Sequence, residues 1–426
     1  MKRTIFVGLG RMILFLFIAA FAFGGQWIID TGLNKLPENF KEKVSQANGT
    51  LVVTMDEPGI AVAEFSTESD ARSLQTYGWK VMPDIELNWL PENETMLGVE
   101  STMEHIGSDE PYYRYQWHLP LIEADKAWDL GVKGQGARVA VLDSGIWYPH
   151  PDLANRIDHA SSASFVPGTT YMDDNWHGTH VAGIIAAADN GRGVIGVAPE
   201  ATLIAVKVMN KNGAGNASWA CSGIIHAVNV GADVINLSIG GYLKKNGNPP
   251  YYTASDAAAV HTLYNRVVNW AYGKGVLVVC AAGNESFDYD ASGTIIHLPA
   301  EAGAAIAISA TGPYGLQDFD RPAHYTNFGK SAIWVAAPGG DSIFPGPTWM
   351  YDMILSDSIG GYSFASGTSQ AAPVVCGIAA LIISKYGKLT PGELKNRIAQ
   401  AALDLGKKGR DDYYGRGRVN AYNAVK

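Results

Sequence analysis

Val139-Ala140-Val141-Leu142-Asp143-Ser144-Gly145 decides how the rest of the chain is read. An unbroken apolar run of strand length, rich in valine, suits a strand covered on both faces, which belongs in a largely parallel sheet. The run ends on an aspartate. Open α/β sheets bind their ligands at the carboxyl ends of the strands, so Asp143 stands where a functional group belongs. Similar runs occupy residues 138–142, 202–209, 233–239, 276–281, 304–310 and 332–336. Helical candidates lie between and after them, over 177–188, 218–230, 255–272, 369–385 and 391–402. Strands alternating with helices make a doubly wound α/β pattern, and no internal repeat interrupts it.

Two further segments supply a base and a nucleophile. In His177-Gly178-Thr179-His180-Val181-Ala182-Gly183 a histidine opens a helix whose small residues allow close packing on the sheet. In Ser366-Gly367-Thr368-Ser369-Gln370-Ala371-Ala372-Pro373 a serine stands at a helix start, where backbone N–H groups are free to face an anion. A serine hydroxyl becomes a useful nucleophile once an imidazole takes its proton. A buried carboxylate then fixes the imidazole tautomer and stabilises the imidazolium. Each motif alone is ambiguous: Asp-Ser-Gly is commonly a turn, and His-Gly-Thr-His suits a metal loop. Together, in the order Asp, His, Ser, they are specific. An α/β-hydrolase runs Ser, Asp, His, and a chymotrypsin-like protease His, Asp, Ser. Val278-Val279-Cys280-Ala281-Ala282-Gly283-Asn284-Glu285 adds an amide, Asn284, able to donate to an oxyanion beside the Ser369 N–H.

These four segments resemble the Asp, His, oxyanion-Asn and Ser motifs of subtilisin-like serine proteases, and the similarity runs from about Glu110 to the end of the sequence. The resemblance implies a three-layer α/β domain with a mostly parallel central sheet, and an endopeptidase acting on extended polypeptides. Val234-Ile235-Asn236-Leu237-Ser238-Ile239-Gly240-Gly241 then provides the backbone edge for substrate through Ser238, Ile239 and Gly240. Ala217 and Ala220 fall where relatives often carry larger residues, which implies a roomier distal pocket. Gln370 replaces the usual methionine after the serine, which lowers sensitivity to oxidation. His180 matches a family histidine without a catalytic role. Structural calcium is implied at Asp152 and at the loop carrying Ala188, Asn190, Arg192 and Val194, with Glu110 as a further ligand. The stretch 242–257 looks longer than in compact relatives; a rim over the cleft and an exposed loop are equally open readings.

The N-terminal part has its own rhythm. Lys2 and Arg3 precede the apolar run from Met12 to Phe23, and Ala20-Phe21-Ala22 suits a cleavage point, the layout of a secretory signal peptide. An uncleaved membrane anchor is the alternative. Strand signals at 27–29, 51–53, 61–65 and 79–89, with helices at 37–46 and 67–77, give β-α-β-β-α-β, a small ferredoxin-like α+β unit. Ser66 is the expected N-cap of the second helix. The resemblance makes this unit a propeptide, inhibitor and folding aid bound in cis, with a permanent accessory domain as the rival. The polar stretch 91–111 reads as a linker, with the maturation cut between Gly98 and Glu110. The expected division is a signal peptide at 1–25, a propeptide at 26–107 and the catalytic domain at 108–426.

A formal charge of −9 without a long basic run argues against nucleic acid as a partner. Cys221, Cys280 and Cys376 lie in apolar stretches without metal-site spacing and read as small buried hydrophobes, with one disulfide plus one thiol as the alternative. A secreted monomer is the expectation.

Overall fold

The structure, a computed structural model, describes residues 25–90, 95–99, 110–291 and 293–426. The apolar runs form one parallel sheet, in the spatial order Ile333–Pro338, Ile306–Thr311, Leu277–Ala281, Val234–Leu237, Arg138–Asp143, Thr202–Lys207, Ala163–Ser164. Successive residues of the opening strand face opposite layers. Val139 and Val141 belong to the core that holds the helices His177–Ala186 and Thr368–Tyr386. Ala140 and Leu142 belong to the core shared with Ala217–Asn229 and Ala254–Gly273. This burial on both faces is why the strands are apolar throughout, and it gives the three layers. The chain leaves Arg138–Asp143 toward one edge of the sheet and returns to Val234–Leu237 on its other side. The reversal leaves a crevice at the carboxyl ends of these two strands.

The N-terminal unit follows the expected β-α-β-β-α-β order: Gly25–Asp30, Phe40–Gln46, Gly49–Met55, Ile60–Phe65, Glu68–Ser73 and Lys80–Pro83. Its four strands form an antiparallel sheet with Lys80–Pro83 at one edge, the position a strand proline tolerates. Thr67, not Ser66, caps the second helix, accepting from the Asp70 N–H at 3.1 Å. That helix tightens into a 3₁₀ turn at Leu74–Tyr77 and ends at Gly78 in the left-handed region, φ +78°.

Two further readings change. The polar stretch after residue 90 is not wholly a linker, because Thr95–Val99 pairs antiparallel with Tyr362–Ser366. The segment 242–257 holds a strand, Gly241–Lys244, against Ile295–Leu298, then a small hairpin, Gly247–Asn248 with Tyr252–Thr253. Of the signal peptide expected at 1–25, residues 1–24 lie outside the described residues, and Gly25 opens the first strand. All three cysteines are buried and unpaired, with burial raising each thiol pKa.

Candidate active site

The strand Arg138–Asp143 delivers its aspartate to the crevice, and the helix His177–Ala186 begins against it. Two glycines permit the approach. A Cβ on Gly178 would run into the carbonyl of Gly145 and lie 3.1 Å from the Asp143 Cβ. Gly145 itself turns at φ +107°, which favours glycine. The imidazole Nδ1 of His177 thus sits 2.8 Å from Asp143 Oδ1, with both side chains fully buried. Asp143 Oδ1 also accepts the Ser144 N–H at 2.7 Å. Burial pushes the Asp143 carboxyl up, and the facing imidazole and this N–H oppose it. A carboxylate at Nδ1 selects the Nδ1–H tautomer and makes Nε2 the basic nitrogen.

Sequence reading missed the brace beneath this pair. The buried Asp173 accepts from Ser144 Oγ at 2.8 Å, from the N–H groups of Asn175 and Trp176 at 2.9 and 3.1 Å, and from the Thr179 N–H at 3.0 Å. It ties the turn after Asp143 to the start of the histidine helix. It also holds Trp176 at φ +119°, a strained conformation for a bulky residue. An aspartate just before a helix start is the only signal that could have pointed to it.

Ser369 is the second residue of the helix Thr368–Tyr386, which follows the strand Gly361–Ser366 through Gly367. Its hydroxyl donates to the Ser238 carbonyl at 3.0 Å. Pro373 has no N–H, so the Ser369 carbonyl has no helical partner four residues on; it accepts Ser238 Oγ at 2.7 Å instead. Asn236 Nδ2 donates to that same hydroxyl at 2.9 Å. Asn284 lies just past the strand Leu277–Ala281. Its Oδ1 accepts from Thr368 N and Oγ1 at 2.9 and 2.8 Å, and Thr368 Oγ1 accepts the Gly283 N–H at 3.0 Å. With Oδ1 anchored twice, the amide is oriented and its Nδ2 is the end that can donate. The part played by Thr368 was not read from the sequence.

A peptide already lies in the crevice. Glu86–Asn88 pairs antiparallel with Ala214–Asn216. Just after it, the Trp89 N–H donates to Gly213 O at 2.9 Å, and the Gly240 N–H donates to Trp89 O at 3.1 Å. Ile85, Leu87 and Trp89 are buried in one cluster with Ala217, Ala220 and Ile239. Asp84 meets the start of the helix Ala217–Asn229: it accepts from Ser218 N at 2.9 Å, Ser218 Oγ at 2.5 Å and Asn216 Nδ2 at 3.0 Å.

The residues expected around calcium also meet. Asn190 Nδ2 donates to Asp152 Oδ1 at 3.2 Å, Val194 N to Asp152 Oδ2 at 3.4 Å, and Ala188 N to the Asp152 carbonyl at 2.9 Å. The N–H groups of Asn190 and Gly191 donate to Glu110 Oε1 at 2.5 and 2.8 Å, and the Arg192 N–H also lowers the Glu110 pKa, which burial raises. The buried acidic cluster is compatible with a cation. The loop turns N–H donors toward both carboxylates as well.

His180 is fully buried with Nε2 3.0 Å from the Ser363 carbonyl. Burial holds it and His118 at about 3, so both are neutral at ordinary pH. These values lie below the unfolded value of about 6.5. The unfolded chain therefore takes up the proton first, and stability present above about pH 6.5 is lost as pH falls toward 3. A His118→Gln chain should lose less stability on acidification than its parent, by about 2 kcal/mol at pH 5. Urea unfolding at several pH values measures this, and parallel curves for the two chains would contradict it.

Residues 134–417 match the subtilase family. Subtilisin DY of Bacillus licheniformis is 37% identical over 310 residues, 72% of this chain and 97% of that protein. Thermitase of Thermoactinomyces vulgaris is 34% identical over 322 residues, 74% of this chain and 98% of its own. Among solved structures, the epidermin leader peptide processing serine protease of Staphylococcus aureus aligns with a TM-score of 0.79 at 22% identity, over 95% of this chain and 98% of that one. That likeness is one of fold, and it reaches into the N-terminal unit. A lanthipeptide protease aligns with a TM-score of 0.63 at 28% identity, over 73% of this chain and 94% of its own. With its parallel sheet, its aspartate–histidine pair and its helix-start serine, the chain belongs to the subtilase family, as a subtilisin-like serine endopeptidase.

Proposed function

We propose that this chain is an exported zymogen that cuts peptide bonds of extended polypeptides through an acyl-enzyme on Ser369, held latent by its own residues 25–90. The observation carrying this reading is the segment Ile85–Leu90, bound as an added strand between Gly213–Ala217 and Gly240. Backbone pairing of that kind accepts many sequences, because it uses groups every residue has.

In the proposed cycle Ser369 Oγ leaves the Ser238 carbonyl and attacks the substrate carbonyl, while His177 Nε2 takes its proton. Asp143 holds the imidazole and offsets the imidazolium charge. Asn284 Nδ2 and the Ser369 N–H, unused by the first helical turn, receive the oxyanion. His177 then protonates the leaving amine, and a water repeats the sequence on the acyl-enzyme. Export rests on the Lys2/Arg3 and apolar N-terminal pattern.

The same observation bears on where the zymogen is cut. Leu90, the last residue of the bound segment, donates its N–H to Gly213 O at 3.2 Å. Thr95, five residues on, pairs with Ser366, three residues before Ser369. The scissile bond of maturation is therefore proposed between Leu90 and Thr95, upstream of the stretch 98–110 favoured by sequence alone.

Asp84 is proposed to strengthen latency, its carboxylate lying at the positive end of the helix Ala217–Asn229. A charged hydrogen bond of this kind contributes about 1.5–3 kcal/mol, and the burial that raises the Asp84 pKa leaves the low end of that range. The Asp84→Ala chain should then show a lag before casein hydrolysis shortened roughly tenfold per titrated active site. A casein-inactive protein would refute the enzymatic reading, and an unchanged lag would refute the capping role.

A further inference from the structure

Val234–Leu237 is the middle strand of the parallel sheet, and Asn236 is its one polar residue. Its partners in register are Val141 and Val279, which belong to the apolar core that holds the helix Thr368–Tyr386. Asn236 and Ser238 are both fully buried. An amide placed in such a layer costs stability unless each of its ends finds a partner. Both ends do. Nδ2 donates to Ser238 Oγ at 2.9 Å, and Oδ1 accepts the Cys376 thiol at 3.4 Å.

The direction of each bond follows from the last acceptor. The Ser369 carbonyl can only accept, so Ser238 Oγ, 2.7 Å away, directs its proton there. Asn236 must then offer Ser238 Oγ a donor, which turns Nδ2 toward Ser238 and Oδ1 toward Cys376. The polarity runs one way, from thiol to amide oxygen, from amide nitrogen to hydroxyl, and from hydroxyl to carbonyl. The final bond matters because Pro373 leaves that carbonyl without a helical N–H. Ser238 holds the other end of the nucleophile as well, since its own carbonyl accepts Ser369 Oγ at 3.0 Å. One residue thus holds Ser369 by its backbone and by its side chain.

We propose that Asn236 is a positioning residue for the nucleophile. By donating to Ser238 Oγ it keeps that hydroxyl aimed at the Ser369 carbonyl, which seats the first turn of the serine helix against the middle strand. The placement of Ser369 Oγ and of the Ser369 N–H depends on that turn. The Cys376 thiol keeps the amide from turning over. Asn236 acts through Ser238, so its loss slows the chemical step and leaves substrate binding in place. This role presupposes Ser369 as the nucleophile.

The test compares the parent with Asn236→Leu, Ser238→Ala and the double variant. Full chains are left to mature, and kcat and KM on a chromogenic peptide are taken per titrated active site, beside the rate of fluorophosphonate labelling at Ser369. Each single change should lower kcat and the labelling rate about tenfold, with KM within about twofold of the parent. The double variant should lose no more than either single one, because both act through the same bond. Ser238→Thr keeps the hydroxyl and should keep most of the rate. If Asn236→Leu does not fold, Asn236→Ala removes the amide without adding a branched side chain and gives the same reading. A kcat within about twofold of the parent in the Asn236 variants, or losses that multiply to about 100-fold in the double variant, would overturn the proposal while a parent labelled at Ser369 keeps the nucleophile. A parent without an adduct on Ser369 would overturn both.

Discussion

Replacing Ser369 by alanine should lower casein hydrolysis by about 10⁶-fold, the size of loss known for subtilisin itself when its triad serine is removed. The Asp143–His177 pair stays intact in such a variant, because its 2.8 Å contact and its brace at Asp173 do not involve Ser369. What disappears is the atom that forms the acyl-enzyme. Residual rate over water, roughly 10³-fold, would come from the oxyanion donors and from backbone binding. The second consequence is visible without a substrate. A chain that cuts itself between Leu90 and Thr95 should yield an N-terminus in that interval, and the Ser369→Ala chain purified alone should remain in one piece. Intact-mass measurement of both proteins checks this. A Ser369→Ala chain that still matures alone would mean that another group cuts it.

Asn284 carries the next largest effect. Asn284→Ala should reduce kcat by about 10²–10³-fold with KM little changed, the magnitude again being that of subtilisin's own oxyanion asparagine. KM is spared because Nδ2 meets full negative charge only in the transition state. The structure adds a complication. Asn284 Oδ1 also accepts from Thr368 N and Oγ1, at the very start of the serine helix, so the alanine change removes an anchor as well as a donor. Asn284→Asp keeps an acceptor for Thr368 and removes the donor. Comparable kcat losses in the two variants place the effect on Nδ2. A near-normal kcat in Asn284→Asp would place it on the anchor.

The fold was legible wherever local chemistry and packing agree. Buried parallel strands must be apolar on both faces, so the run through Val139 and Leu142 and its relatives stood out, with ends displaced by a residue or two. The reactive residues were legible because each sits beside the glycines and small residues that let its element approach its neighbours, as Gly178 does against Gly145. Roles that arise only from contacts between distant segments were not. Asp173 looks like any turn aspartate until Ser144, Trp176 and Thr179 converge on it. Asn236 sits in an apolar strand, and its reach to Ser369 through Ser238 is a tertiary fact. Thr95–Val99 has a polar surrounding composition, and its pairing with Tyr362–Ser366 makes it a strand. The cap at Thr67 in place of Ser66 is a choice between adjacent hydroxyls that backbone geometry, not residue type, settles.

The most direct measurement is labelling with a fluorophosphonate, followed by mass spectrometry of the labelled peptide and of the mature N-terminus. An activated serine reacts with such a reagent, whereas an ordinary hydroxyl does not. A single adduct on Ser369, absent in His177→Ala, on a chain beginning between residues 91 and 95, is the predicted result. An adduct on another residue, or no adduct on a chain freed of its N-terminal unit, would contradict the assignment of Asp143, His177 and Ser369 as the machinery of a self-processing endopeptidase.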